Sequence, residues 1–431
     1  MSEVSISAIA EINPASRVPA GLQKNDLVSF IPMGDVSEAG QWSPRQTRPL
    51  SSLVSGFTAF TEGDVLVAKI TPCMENGKGA HAVGLVNGVG FGSTEFHVLR
   101  AKQGVSPRFV FQLTKWKKFR QEAESAMVGS AGQKRVQRSF FDSFSLTGFN
   151  EGDQLGIAKV LDTLDTAIHE TEALIAKLKA VKQGLLHDLL TRGIDANGEL
   201  RPPQSEAPHL YKSSLLGWIP TDWETPCFSD LQFQPLLGVG VRGASEDAAN
   251  YGLLKMGNLR ENNEIDLRSV ELVAASRVPH ADKLLLSDGD LLFNTRNTPE
   301  LVGKTCSWRN VEGEHVFDNN ILRARIPSHI GSGHFFAHYL GSEVGRRRVR
   351  RLATGTTSVA AIYWKDLKDL RVPAPSAQEQ NAIHRIIDEH DKSRAFTERN
   401  MSALHEAKLG LMDNLLTGRV RVTPLLDAAT A

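Results

Sequence analysis

From Gln154 to Thr191 apolar residues return at alternating steps of four and three, through Ile157, Leu161, Leu164, Ile168, Ile175, Leu178, Leu185 and Leu189, with no proline in the stretch. Thr171 and Lys182 fill the two remaining steps. This period predicts one long helix with a narrow a/d seam, as in a coiled coil. Such a seam needs a partner, and the chain holds one. Gln380–Thr417 repeats the pattern without a gap at an offset of 226 residues, Thr191 falling on Thr417. Its seam includes Ile383, Ile387, Met401, Leu404, Leu411 and Leu415. The polar steps recur as well, Thr171 with Thr397 and Lys182 with Lys408, as do Gln154 with Gln380, Asp162 with Asp388 and Asp165 with Asp391. A polar residue on such a seam fixes register more than it adds stability. The chain is a duplication.

Shorter alternating runs bounded by Gly, Pro and Asn fill the rest. Asp64–Ile70 and Phe96–Leu99 read as strands, and Pro107–Glu122 as one helix with Phe109, Leu113, Trp116 and Phe119 on a single face. The expected organisation is a first lobe at 1–150, a long helix at 151–191, a Gly/Pro-rich linker at 192–208, a second lobe at 209–375, a second long helix at 376–418 and a tail at 419–431. Ser376 is the expected cap of the second helix, with Glu379 three residues on. The fold class is α+β, two mixed lobes weighted towards strands plus two long helices. The duplication runs through the lobes too: Gly63-Asp64-Val65-Leu66 matches Gly289-Asp290-Leu291-Leu292, Phe91 matches Phe317, Phe109 matches Phe335 and Gly129 matches Gly355. Met33-Gly34 matches Met256-Gly257 after a three-residue slip. Beyond the shared Gly-Asp the two copies diverge, AKITPCMENGKGA at 68–80 against FNTRNTPELVGKT at 293–305. A scaffold kept while its loops change suits two copies that read different things.

Composition narrows the chemistry. With 431 residues and 41% apolar content the chain can bury two or three cores. Lys and Arg (49) balance Asp and Glu (49), so any basic surface is local. Cys73, Cys227 and Cys306 are few and far apart, which supports neither a disulfide framework nor a zinc site. There is no secretory pattern and no apolar run near the roughly 18 residues of a membrane span, so a cytoplasmic location is expected. Gly303-Lys304-Thr305 fails as a phosphate loop, because Thr298 stands where its first glycine should be. No Asn-Pro-Pro-aromatic run, His-Glu-x-x-His or Gly-x-Ser-x-Gly is present, and the 13 histidines read as scattered, His97 as structural. No active site and no metal site are expected.

Basic and amide-rich loops carry the better signal. In the first lobe the candidates are Lys69, Thr71, Asn76 and Lys78, then Gln133, Lys134 and Arg135 within GSAGQKRVQR at 129–138. In the second they are Asn294, Arg296, Asn297 and Lys304, then Arg347 and Arg350 in a run with Arg346, Arg348 and Arg351, and Thr356 and Thr357 in ATGTTS at 353–358. Arg pairs with guanine and Asn or Gln with adenine in the major groove, so these are DNA-binding candidates. An arginine run is as often a solvated charged face.

LLGWIPTDWE at 215–224, KITPCMENGKGA at 69–80 with GFGSTEFHVLR at 90–100, NTRNTPELVGKT at 294–305 and two helices ending in LLT resemble the specificity subunit of type I restriction-modification systems, over nearly the whole chain. The resemblance implies two target recognition domains, each reading half of a split and asymmetric sequence in double-stranded DNA. It also implies that the helices form an antiparallel intramolecular coiled coil that spaces the lobes and docks two methyltransferase subunits. Restriction and translocase subunits would join through that complex, in phage defence. S-adenosylmethionine, ATP and Mg would sit on partner subunits, with no cofactor and no catalysis in this chain. The first lobe departs from the pattern in lacking its own Gly-Trp-x-Pro entry. Two alternatives remain at this stage: the specificity subunit of a related system with a fused methylation and cleavage partner, and a coiled-coil scaffold whose lobes bind protein.

Overall fold

The computed structural model describes residues 3–15, 18–130, 132–233, 235–244, 249–356 and 358–422. The chain forms two compact units, one from residues up to 173 with those from 397 onward, the other from Leu174–Phe396. Both long helices, Glu151–Thr191 and Ala377–Leu416, therefore contribute to each unit.

In the first unit Ala10–Ile12, Phe96–Ala101, Val65–Ala68 and Gly79–His81 make an antiparallel sheet in that order. Gln46–Pro49, Leu27–Ile31, Val89–Gly92 and Thr58–Thr61 make another, whose middle pair is parallel. The second unit repeats the first of these as Pro235–Leu237, Ile321–Ala324, Leu291–Asn294 and Thr305–Ser307. The other reappears as Glu271–Ala274, Asn250–Leu254 and His315–Phe317, again with a parallel pair. Among the described residues Thr58–Thr61 has no strand counterpart there.

The shared Gly-Asp is the turn into an interior strand. Asp64 is buried; it accepts from the Thr61 amide at 2.7 Å and from Arg100 of the adjacent strand at 2.7 and 2.8 Å. Asp290 repeats this with the Ser287 amide at 2.9 Å and Arg325 at 2.7 and 2.8 Å. A buried carboxylate is tolerable only when so paired and bonded, which explains why the motif survives in both copies.

The helix seam is as the heptads predict: every seam position is buried or half-buried. In the first unit Ile157, Ala158 and Leu161 share a core with Met412, Leu415 and Leu416, and in the second Leu189 and Leu190 share one with Ile383 and Ile387. Early residues of one helix thus meet late residues of the other, and the pairing is antiparallel. Both polar seam lysines are ion-paired between helices, Lys182 with Asp391 at 2.6 Å and Lys408 with Asp165.

A buried glutamine ties each helix to its lobe. Gln154 accepts from the Ser106 amide at 3.0 Å and donates to the Phe149 carbonyl at 2.9 Å. Gln380 accepts from the Ser332 amide and donates to the Pro375 carbonyl, both at 2.8 Å, and all three positions keep the 226-residue offset. The helix starts are capped alike, Asn150 accepting from the Asp153 amide at 2.8 Å and Ser376 from the Glu379 amide at 3.2 Å.

Three expectations need correction. The helix expected over Pro107–Glu122 is two, Pro107–Lys115 and Lys117–Ser125, because Trp116 adopts an extended backbone and buries its indole against Phe144. The Glu379 carboxylate does not close a capping box. It takes Arg201 at 2.6 Å, the Ile194 amide at 2.9 Å and the Trp223 indole at 3.1 Å, and so fastens the linker. Nor are all the histidines scattered. His334 and His384 stack with ring centroids 4.1 Å apart, and His384 Nδ1 lies 3.5 Å from His338 Nε2. No helix among the described residues is long and apolar enough to cross a membrane.

Both the glutamine clamp and the histidine stack are open to measurement. Gln380→Leu leaves the Ser332 amide and the Pro375 carbonyl unpaired and should cost about 2–4 kcal/mol in a urea titration; unchanged stability would show the clamp to be idle. Burial holds all three stacked imidazoles below the ordinary histidine range, His384 down to about 4, with Arg309 reinforcing the shift in each and Asp288 and Asp388 opposing it at His334 and His384. The unfolded chain therefore binds more protons: the contribution of the stack is complete above about pH 6.5 and is lost as pH falls towards 4, with a slope of about 1.4 kcal/mol per pH unit for each proton. Titrations across that range should show the loss. His338→Gln, which installs the residue found at the matched Gln112, should make it shallower.

Candidate nucleic-acid interface

The two candidate segments of the first lobe, 69–80 and 129–138, meet through the backbone. Ile70 bridges Arg135, which also bridges Val128; the Val136 amide donates to Lys69 at 2.9 Å and the Thr71 amide to Lys134 at 3.0 Å. In the second lobe Arg296 pairs with Ala361, which pairs with Thr354, and the Ile362 amide donates to Thr295 at 2.9 Å. Position for position this is the same small sheet, with Ile70 in the place of Arg296 and Arg135 in the place of Ala361. Because main-chain bonds hold it, the side chains are free to differ.

Gly129 and Gly355 explain their own match. Their φ angles are +137° and +153°, and a Cβ on them would stand 2.9 Å from the Gln133 carbonyl oxygen and 2.2 Å from that of Val359. Only glycine lets the returning strand approach so closely.

The candidates divide by exposure. Asn76, Gln133, Lys134, Arg296, Arg347, Arg350 and Thr356 are exposed, while Lys69, Thr71 and Asn297 are half-buried. Others face inward. Lys78 Nζ donates to the Met33 carbonyl at 3.5 Å and Lys304 to the Met256 carbonyl at 2.8 Å, so this matched pair of lysines holds the matched Met-Gly turns. Burial lowers the Lys304 pKa. Asn294 is buried, accepting from Asn297 at 2.9 Å and donating to the Arg296 carbonyl at 3.1 Å, which shapes the strand behind Arg296. Arg135 grips Glu95 at 2.8 Å and holds that carboxyl below its ordinary range. Thr71 Oγ1 donates to Glu75 at 2.8 Å. Thr357 lies outside the described residues.

Four arginines of the run lie on the helix Glu343–Arg350, and Arg351 follows as its C-cap. Arg346 pairs with Glu261 at 3.0 Å and Arg347 with Glu343 at 2.6 Å; Arg348 donates to the Arg371 carbonyl at 3.3 Å and Arg350 to that of Glu300. Arg350 thereby joins this helix to the loop beyond Arg296. Residue type alone missed these quenching partners and the two methionine carbonyls. The signal available for the latter was the shared offset of Lys78 and Lys304. Among the described residues no group of three His, Cys, Asp or Glu is arranged to hold a metal ion.

No family model matches the chain. The type I restriction enzyme EcoAI specificity subunit of Escherichia coli is 42% identical over 140 residues, 32% of this chain and 23% of that protein. Its EcoEI counterpart is 37% identical over 145 residues, 33% and 24%. The chain thus spans about a quarter of the length of these two relatives. The MjaVIII specificity subunit of Methanocaldococcus jannaschii is 21% identical over 319 residues, 72% of this chain and 69% of that one. In fold, the S subunit of the type I restriction-modification system from M. genitalium aligns over 96% of both chains with a TM-score of 0.56 at 12% identity. A chain from a structure describing complex assembly and conformational transition of a type I system aligns over 97% of this chain and 98% of its own, with a TM-score of 0.54 at 15% identity.

Gly355→Ala should strain the second small sheet by about 1–3 kcal/mol. Hydrogen exchange at the Ala360 and Ile362 amides is expected to quicken while that of Leu291–Asn294 holds; equal exchange at both places would mean that the alanine is accommodated.

Proposed function

The chain belongs to the specificity subunits of type I restriction-modification systems, and on that premise we propose that its two lobes each read one half of a split, asymmetric sequence in double-stranded DNA. The observation that carries this reading is the small sheet built alike in both lobes with different residues on it, Ile70 against Arg296 and Arg135 against Ala361. A recognition surface requires this combination of fixed backbone and free side chains, because register must hold while base preference changes.

In this reading the exposed residues take the contacts. Arg296 has the fork to bind the O6 and N7 of guanine, and Gln133 and Asn76 have amides suited to adenine. Lys134, Arg347, Arg350 and Thr356 serve the phosphates, and Lys69, Thr71 and Asn297 flank them. Lys78, Lys304, Asn294 and Arg135 act from behind, holding the loops in shape. The paired helices dock two methyltransferase subunits, and restriction and translocase subunits join through them. S-adenosylmethionine, ATP and Mg belong to those partners. This chain supplies the address and performs no chemistry.

Because each lobe has its own sheet, errors should stay local. Arg296→Ala and Gln133→Ala, each assembled with the methyltransferase subunits, should relax discrimination by about 1–3 kcal/mol in different halves of the target when methylated adenines are mapped. If both variants methylate the same sites as the parent, the contact assignment is wrong. If the assembled parent shows no sequence preference, so is the DNA reading.

A further inference from the structure

Residues 70–78 of the first lobe form a compact turn. The Met74 amide donates to Ile70 and the Asn76 amide to Pro72, both at 3.0 Å, the Gly77 amide to Met74 at 3.0 Å and the Lys78 amide to Cys73 at 2.9 Å. Two cations from the adjoining helices meet the carbonyls of this turn. Arg120, which is buried, donates to the Met74 carbonyl at 3.0 Å and to the Gly77 carbonyl at 3.1 Å. Lys115 adds a bond to the same Gly77 carbonyl at 3.3 Å and another to the Glu38 carbonyl.

Neither cation makes an ion pair among the described residues, and the Nε of Arg120 has no partner. Burial pushes Arg120 down to about 9 and Lys115 to about 7, the Arg120 charge adding to the shift of Lys115. A buried arginine with no carboxylate paired to it is costly, and a lobe that needed only packing there would be better served by an apolar side chain. What the two cations accomplish is local: charge-assisted bonds that lock three backbone carbonyls.

The arrangement belongs to one lobe only. Arg346, which occupies the place of Arg120 in the second lobe, pairs with Glu261, and Gly341 stands where Lys115 would be. The shared frame keeps its parts in both copies, as the buried aspartates, the glutamines and the methionine-bound lysines do. At the Arg120 position the arginine is kept but its partners change, from the carbonyls of this turn to Glu261, and at the Lys115 position the lysine is lost; both differences follow the divergent loop.

We propose that Arg120 and Lys115 are positioning residues for first-lobe recognition, presetting the turn that carries Thr71 and Asn76 so that the Asn76 amide meets a base edge without prior ordering. This rests on the DNA reading above. A turn ordered before binding avoids the entropic cost of ordering it on the duplex.

The test is selection of bound duplexes from a random-sequence pool by the full chain assembled with its methyltransferase subunits, comparing Arg120→Met, Arg120→Lys and Lys115→Met with the parent. Arg120→Met should lower discrimination about 10- to 100-fold per affected base pair, in the half that Arg296→Ala leaves intact. Lys115→Met should do so more weakly in the same half, and Arg120→Lys should recover part of the loss. Folded variants that keep parental discrimination in both halves would overturn the proposal, as would equal loss in both halves, the mark of a general defect. Should Arg120→Met fail to fold, Lys115→Met decides alone, since its side chain is only half-buried. A parent that selects no sequence would refute the DNA reading itself, which is distinct from a selective parent whose variants behave like it.

Discussion

An apolar stripe forty residues long has no stable existence in water, so neither long helix can persist until the other covers it. Everything else is fastened to that pairing. Lys182 with Asp391 and Lys408 with Asp165 set its register, since sliding either helix by a turn would leave four partly buried charges unmatched. Gln154 and Gln380 then transmit the register to the lobes, because each buried amide is bonded to backbone groups outside its own helix. The lobes themselves are built of strands mostly three to six residues long, which would be marginal without a helix to close against.

On that foundation the two copies divide their residues into those that cannot change and those that can. Asp64 and Asp290, buried and bonded to arginine and to a turn amide, cannot be exchanged without stranding a charge. Gly129 and Gly355 cannot gain a methyl group. Lys78 and Lys304 are bound to methionine carbonyls and hold the same place in both copies. The small sheet of each lobe is joined mainly by main-chain bonds, and there an isoleucine in one copy stands for an arginine in the other. Freedom of sequence sits where the backbone does the holding.

The same division explains what could be read without coordinates. The heptads at Ile157–Leu189 and Ile383–Leu415, the repeat offset and the matched Gly-Asp turns were legible because periodicity and register are properties of order along the chain. The break at Trp116 was not, because nothing local forbids a helix there; a distant aromatic core draws the indole inward. Lys304 and Asn294 looked like contact residues by type, yet their partners at Met256 and Asn297 lie behind the surface. The arginine run was visible as charge but not as charge already answered by Glu261 and Glu343. His334 and His338 stand four apart on one helix, a spacing that hinted at a shared face, but His384 comes from another element. Order along the chain shows what a residue is; its neighbour in space decides what it can do.

The two lysine–aspartate pairs also bear on descent. Each repeat carries both halves of a pair, Asp165 and Lys182 on the first helix, Asp391 and Lys408 on the second, and each pair takes its acid from one repeat and its base from the other. A chain of one lobe and one helix would therefore have held all that was needed to associate with a second copy of itself, closing the same two pairs. An ancestor of that kind is sufficient to account for the present chain through a single tandem joining across the linker at 192–208. Once joined, the two halves were no longer encoded by the same gene segment. Mutation in one was no longer mutation in both, and that is the condition under which Ile70 and Arg296 could part.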